Sequence, residues 1–320
     1  MPGNQPAIKT FLMLAALFWC GLHAFGNSSD TLSPLQYNPH QINPHQINPT
    51  RFWTVAGVQA AGYTATLIAL DRQWYREHPR SSFHLHDDSR DWLQMDKLGH
   101  TTTAYHLSRA SAQAFRWSGA SRSSSAWLGA ISGSAFLGAV EVLDGFSAQW
   151  GFSMADFAAN KVGATTFLAQ ELTWQQQKIL WKYSYTHSGM AQYRPALLGS
   201  SLPEKMLKDY NGMRFWLSGN LNALSGNNNF FPPWLNLALG HGAYGLLGSR
   251  QNPTHLDGEP LPHFQRYRQW YLSPDIDWER IPSGSPFLQS LFSVMNVIKT
   301  PAPAIEYNRV EGWKLHWVFF

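Results

Sequence analysis

The feature that most constrains this chain is the stretch 96–163, where ionisable side chains stand at helical spacings inside helix-patterned sequence that is otherwise almost uncharged. Asp96 and His100 are four residues apart, as are Asp156 and Asn160, so each pair shares one face of a helix. Glu141 and Asp144, three apart, share a face as well. Only 14% of the chain is Asp, Glu, Lys or Arg. Charges set among apolar helices are costly unless they are paired, neutralised or bound to a metal, so the fold has to bring these groups partners.

Three helical segments carry them, over about 91–117, 124–143 and 153–182, with Ser/Gly-rich breaks around Gly119 and between Asp144 and Gly151. Ser153 ahead of Asp156 has the spacing of an N-cap followed by an acidic third position. Gly129, Gly133, Ser134 and Gly138 form overlapping small-xxx-small pairs, which let a neighbouring helix approach closely. The uncharged run 52–70, with Gly57, Ala60, Ala61, Gly62 and Ala65 along one side, predicts a further helix that is either buried in the core or in contact with a membrane. Residues 51–198 are thus expected to form a bundle of about four helices with a polar centre.

Two chemistries fit that centre. Asp96, His100, Glu141, Asp144 and Asp156 form an oxygen-rich set with one imidazole, suited to a divalent metal such as Zn, Mn or Mg. In a catalytic version, His100, Asp96 and Glu141 are the acid–base groups. The alternative is structural: Lys97 pairs with Glu141 or Asp144, Asn160 joins the network, and the buried ions fix helix register.

Beyond residue 199 the hydrophobic period shortens to two. Residues 214–218, 234–240, 267–277 and 314–320 read as strands between Gly, Asn and Pro turns, with a short helix at 287–299 ended by Pro301. The fold class expected is α+β, a helical bundle followed by a β-rich region over 199–320. The chain finishes on Phe320, an aromatic terminus of the kind outer-membrane barrels favour, but four or five strands fall short of the eight a closed bacterial barrel needs.

At the other end, Lys9, the uncharged run 10–26 and the small residues Ala24 and Gly26 mark 1–26 as a signal peptide. The single cysteine, Cys20, lies in this leader behind Trp19, where lipidation would require a small residue. Residues 27–50, with the repeated Asn-Pro-His-Gln-Ile, are expected to be an extended linker. A content of 15 Trp with few charges suits an envelope or membrane surface, where indole rings settle at the lipid–water boundary. The formal charge of +4 comes without a Lys/Arg cluster, which excludes a nucleic-acid partner. The sequence has no glycine-rich phosphate loop and no serine-hydrolase elbow.

Asp96-Lys97-x-Gly-His100 with Thr103-Ala104-Tyr105, Glu141-x-x-Asp144-Gly145, Trp150-Gly151-Phe152-Ser153, Asp156 and Asn160-x-x-Gly163 resemble the YfiM-like group of predicted periplasmic lipoproteins, a family of unknown function. The likeness extends to the longer Bacteroidota-type members through Lys208-Asp209-Tyr210-Asn211-Gly212, Pro233-Trp234-Leu235-Asn236 and Tyr267-Arg268-Gln269-Trp270-Tyr271-Leu272. A fainter similarity to VanZ-type membrane proteins rests on the Asp-Lys-x-x-His helix start. The resemblance implies export to the periplasm or outer membrane of a Gram-negative bacterium, with a membrane or envelope component as partner. It supplies no reaction. The expectation is therefore a membrane-associated, non-enzymatic envelope protein, with a metal-dependent hydrolase of an envelope lipid or glycan, or a binder of an apolar ligand, as alternatives.

Overall fold

The computed structural model describes residues 47–72, 79–227 and 230–320. The leader with Cys20, and the linker up to residue 46, lie outside the described residues. The chain divides into two units. One is helical and takes the described residues up to His86, Thr103–Gln177 and Ser283–Leu291; the other is built on a sheet and takes Asp87–Thr102, Lys178–Pro282 and Phe292–Phe320.

In the helical unit, α1 (Pro49–Leu70) starts where the Asn48 side chain accepts the Arg51 N–H, with proline at the first turn, where its missing donor costs nothing. Helix α2 (Met95–Trp117) enters this unit from Thr103 onward. Helices α3 (Arg122–Gly145) and α4 (Met154–Thr173) are capped by Ser121 and Ser153, the Ser153 hydroxyl accepting the Asp156 N–H at 2.9 Å. The predicted close approach is present: a Cβ on Gly129 would lie 2.3 Å from the Ser108 carbonyl oxygen, so α3 packs on α2 backbone to backbone. Val55, Ala110, Ala114 and Phe115 form the core here, and Ser132 donates to Gln59 while Tyr63 bonds Ser111, which ties α1 to both neighbours. Among the described residues α3 is the helix long and apolar enough to cross a membrane. Helix α4 ends at Thr173 rather than near 182; Gln175 adopts φ +52°, and the chain leaves the helix there.

The sheet unit is a six-stranded antiparallel meander in which every strand pairs with the next along the chain. Its strands are β1 (Ile179–Tyr185), β2 (Met213–Asn220), β3 (Leu235–Tyr244), β4 (Tyr267–Ile276), β5 (Ala302–Asn308) and β6 (Gly312–Phe319). Strands β1 and β5 were not legible in the sequence. The first alternates aromatic and polar residues directly behind a helix; the second contains Pro303, which falls at the register irregularity between Ala302 and Ala304, where a missing donor is tolerated.

Register gives the two faces opposite characters. On the outer face, Trp181, Leu217, Leu239, Leu272, Ile305 and Leu315 stand directly opposite one another in one line across all six strands. Two residues along, Tyr183, Phe215, His241, Trp270, Tyr307 and Trp313 form a second line, five of its six members aromatic side chains of Phe, Tyr or Trp. The inner face carries Lys182, Arg214, Asp275 and Glu306, all buried. The inner face is closed by curling: Phe319 on β6 stacks on Tyr271 at 4.7 Å and reaches Trp216 of β2 at 6.4 Å. The free edge of β1 is covered as well, since Tyr183 donates to the Val297 carbonyl and accepts from Lys299 N–H, both at 2.9 Å.

Candidate functional site

Each unit carries part of the residue set expected from the sequence. In the sheet unit, the chain kinks at 91–94, with Trp92, Leu93 and Gln94 all at positive φ, before α2 begins. Lys97 then points its ammonium between two carboxylates, 2.6 Å from Asp88 and 2.9 Å from Asp96. Asp88, a loop residue that the sequence did not suggest as a partner, thus joins Asp96 on this lysine. Burial raises the Asp96 carboxyl above its ordinary range, and the Lys97 charge opposes that rise. His100 follows one turn later and is half-buried.

In the helical unit, Glu141 on α3 and Asp156 and Asn160 on α4 are buried. A carboxylate oxygen of Glu141 and one of Asp156 lie within 4.8 Å of each other. Asp144 is half-buried where α3 ends; its carbonyl accepts the Ser147 and Gly151 N–H groups, each at 3.0 Å, and so shapes the turn into α4. At the far end of α4, Glu171 accepts from Arg122 at 2.8 Å and from Gln177 at 3.0 Å. Burial would raise the Glu171 carboxyl, but these hydrogen bonds and the Arg122 and Arg116 charges outweigh it and hold the group below its usual range. A carboxyl with a depressed folded-state pKa adds stability above its unfolded pKa, and that contribution is lost as pH falls through the folded value. Glu171→Gln is therefore expected to lower stability at pH 7, with the difference from wild type fading below about pH 4, near the ordinary Glu pKa; urea unfolding at a series of pH values checks it.

The densest ionic arrangement was not among the residues the sequence pointed to. It lies inside the curled sheet. Asp275 on β4 has Lys182 at 2.9 Å and Lys299 at 3.7 Å, all three side chains 0% exposed. The Ser218 hydroxyl donates to the same carboxylate at 2.6 Å and the Thr300 N–H at 3.1 Å. Asn236 donates to Ser218, and Asn220 to Asn236, extending the chain of bonds across β2 and β3. Lys182 and Lys299 spend their remaining donors on the carbonyls of Ile276, Pro274 and Thr300. Burial pushes the Lys299 amine down to about 8, with Asp275 acting in the opposite direction. A second cluster gathers on Glu306, which accepts from Gln269 and Asn308 and lies 2.8 Å from His316. Asp277 accepts from Asn296 and Arg280.

Every one of these carboxylates is surrounded by donors, and neither of the two cavities described, of about 220 and 400 Å³, is lined by Lys182, Asp275 or Lys299. Such a network can hold strands in register; it offers no surface to a substrate. The sequence did carry a signal for it, the alternation of Gln269, Tyr271, Ser273 and Asp275 with Trp270 and Leu272. No curated protein and no solved structure matches the chain. Residues 86–170, which cover α2, α3 and the start and middle of α4, match the family described as "Predicted periplasmic lipoprotein (DUF2279)", and the chain thus carries a domain of that periplasmic family over this stretch.

Proposed function

We propose that the protein is a membrane-associated, non-enzymatic component of the cell envelope, whose buried ionic networks hold its secondary structure in place. The observation that carries this reading is the sealed group around Asp275: two lysines, a hydroxyl and a backbone N–H saturate the carboxylate with all three charged side chains out of solvent. Saturated ions have no free valence for catalysis, and removing one partner strands the others. The periplasmic description of the family agrees with the export expected from the leader. Carbonate extraction of envelopes from expressing cells tests the membrane part: the protein is expected in the pellet, and recovery in the soluble fraction contradicts the reading.

A metal-dependent hydrolase is the second reading, favoured by the proximity of the buried Glu141 and Asp156 carboxylates. Two like charges so close and so poorly solvated favour a proton or a divalent cation between them. In this reading Glu141 and Asp156 are the ligands that the helical unit supplies, with Glu141 also able to act as an acid–base group. Metal analysis of the purified protein, alongside Asp156→Asn and Glu141→Gln, separates the readings. A bound equivalent of Zn, Mn or Mg that both substitutions abolish favours the hydrolase. A metal-free wild type retires it.

A further inference from the structure

The polarity of the sheet is the reverse of what water requires. In a soluble antiparallel sheet the apolar face is buried and the polar face is wet. Here Lys182, Asp275 and Lys299 are sealed inside, while Leu239 is 62% exposed, Leu315 57%, Trp270 54% and Trp313 74% on the outside. The outer aliphatic line carries no ionisable side chain on any of the six strands. One step further along, Trp270, Tyr307 and Trp313 are exposed on β4, β5 and β6, as an aromatic girdle follows the lipid band of a membrane barrel, while Phe215 and Tyr183 in the same line pack against Met95.

Beyond that aromatic line comes positive charge. Read along the outer face of β4 the order is Ile276, Pro274, Leu272, Trp270, Arg268. Arg268 joins Arg266 and Arg309 around a cavity of about 220 Å³ that Trp270 and Tyr307 also line. The hydrogen bonds of these three arginines run to the carbonyls of Gly248, Ser249, Leu93 and Arg266 and to the Gln94 side chain, with no carboxylate among them. Hydrocarbon, aromatic and cationic layers thus succeed one another in the order in which a bilayer presents acyl chains, interface and phosphate. From Trp270 to Ile276 the outer face covers about 20 Å at the usual strand rise, close to the ~25 Å outward band of a membrane barrel.

We propose that the outer face of this sheet is seated in the hydrocarbon of a lipid bilayer, with Arg266, Arg268 and Arg309 receiving the phosphate of an anionic lipid headgroup. The inference rests on the membrane-associated reading above and names the surface responsible. A second copy of the chain suits this face less well. Protein interfaces carry roughly one hydrogen bond per 100–200 Å². The aliphatic line has only the Trp181 indole to offer, and like arginines would bring no counter-charge to one another. Lipid phosphate supplies that charge, and acyl chains need no hydrogen bonds.

The chain has one cysteine, so a Cys20→Ala background allows single-site labelling. An environment-sensitive fluorophore is placed at Leu239→Cys, at Leu315→Cys and, as a control in the helical unit, at Ser123→Cys, all at exposed positions. The full chain is then mixed with vesicles of phosphatidylethanolamine and phosphatidylglycerol. Labels at 239 and 315 are expected to be quenched by doxyl groups on the acyl chains and shielded from aqueous iodide, with the reverse at 123. Arg266→Gln/Arg268→Gln/Arg309→Gln is expected to weaken binding to phosphatidylglycerol vesicles by about 100-fold, with little change on phosphatidylcholine. Labels at 239 and 315 that stay open to iodide on vesicle-bound protein overturn this inference while leaving membrane association standing. Shielding without vesicles, at the mass of a dimer, also overturns it. A protein that binds no vesicle and fractionates as soluble overturns both.

Discussion

Asp275→Ala is expected to destabilise the protein by about 3–5 kcal/mol, because it leaves two fully buried ammonium groups without their counter-charge. The cost arises from the groups left behind more than from the bond removed. Lys182 and Lys299 retain backbone carbonyls, and Lys299 the Trp216 ring, but no hydrogen-bonded counter-ion. The sign of the pH dependence follows. In the variant burial acts on the Lys299 amine without the opposing Asp275 charge, so the amine titrates further below its unfolded value, the unfolded chain binds more protons and stability rises with pH up to the unfolded lysine range. The deficit relative to wild type should therefore be largest at low pH and shrink as pH rises toward about 8, the position Lys299 occupies in the wild type. Replacing the set together, as Lys182→Met/Asp275→Leu/Lys299→Met, should recover most of the loss, since apolar residues of similar volume often substitute for a buried ionic group without penalty. Urea unfolding of wild type, Asp275→Ala and the triple variant measures this; a single variant as stable as wild type would show that water reaches the network.

Trp216→Ala should cost a comparable amount, about 3–5 kcal/mol, for a different reason. Trp216 is 1% exposed and fills the centre of the curled sheet. Its indole N–H donates to Ser184 at 2.9 Å, its ring lies 5.6 Å from Tyr271, and the Lys299 ammonium lies 5.3 Å from its centre. The strand opposite has made room for it: a Cβ on Gly240 would lie 2.6 Å from the ring carbons. Truncation therefore opens a cavity beside a buried cation and removes a cation–π contact at the same time. Gly240→Ala is the complementary change, since it pushes the ring out of a space that no other side chain occupies. Both variants should unfold at lower urea than wild type. A Trp216→Ala protein with wild-type stability would mean that the sheet does not curl around this ring.

The sequence marked the helical elements through local chemistry. Ser153 is the cap its spacing announced, Gly129 and Gly133 lie where α3 meets the α2 backbone, and Glu141, Asp156 and Asn160 are buried. These readings succeeded because a cap or a close helix crossing depends on a few neighbouring residues. Asp88 as a partner of Lys97 was not legible because it comes from a loop that runs into the kink at Trp92, Leu93 and Gln94, and no residue there has a preference for positive φ. The sheet interior was missed for a more general reason. A period of two identifies a strand with two unlike faces, but the same alternation describes a sheet with its apolar side in or out. Only the register of all six strands, and the curl that brings Phe319 to Trp216, reveal that Asp275 and Lys182 face inward while Leu272 and Leu239 face outward.

Acetylation of lysines in the native full chain, read residue by residue by mass spectrometry, addresses that inside-out arrangement most directly. Lys182 and Lys299 have no solvent-exposed side-chain surface, whereas Lys161 on α4 is exposed. Lys161 should be modified quickly, and Lys182 and Lys299 should remain unmodified until the protein is unfolded, even at a pH where the Lys299 amine is largely neutral. Modification of Lys182 and Lys299 at the rate of Lys161 would contradict the account.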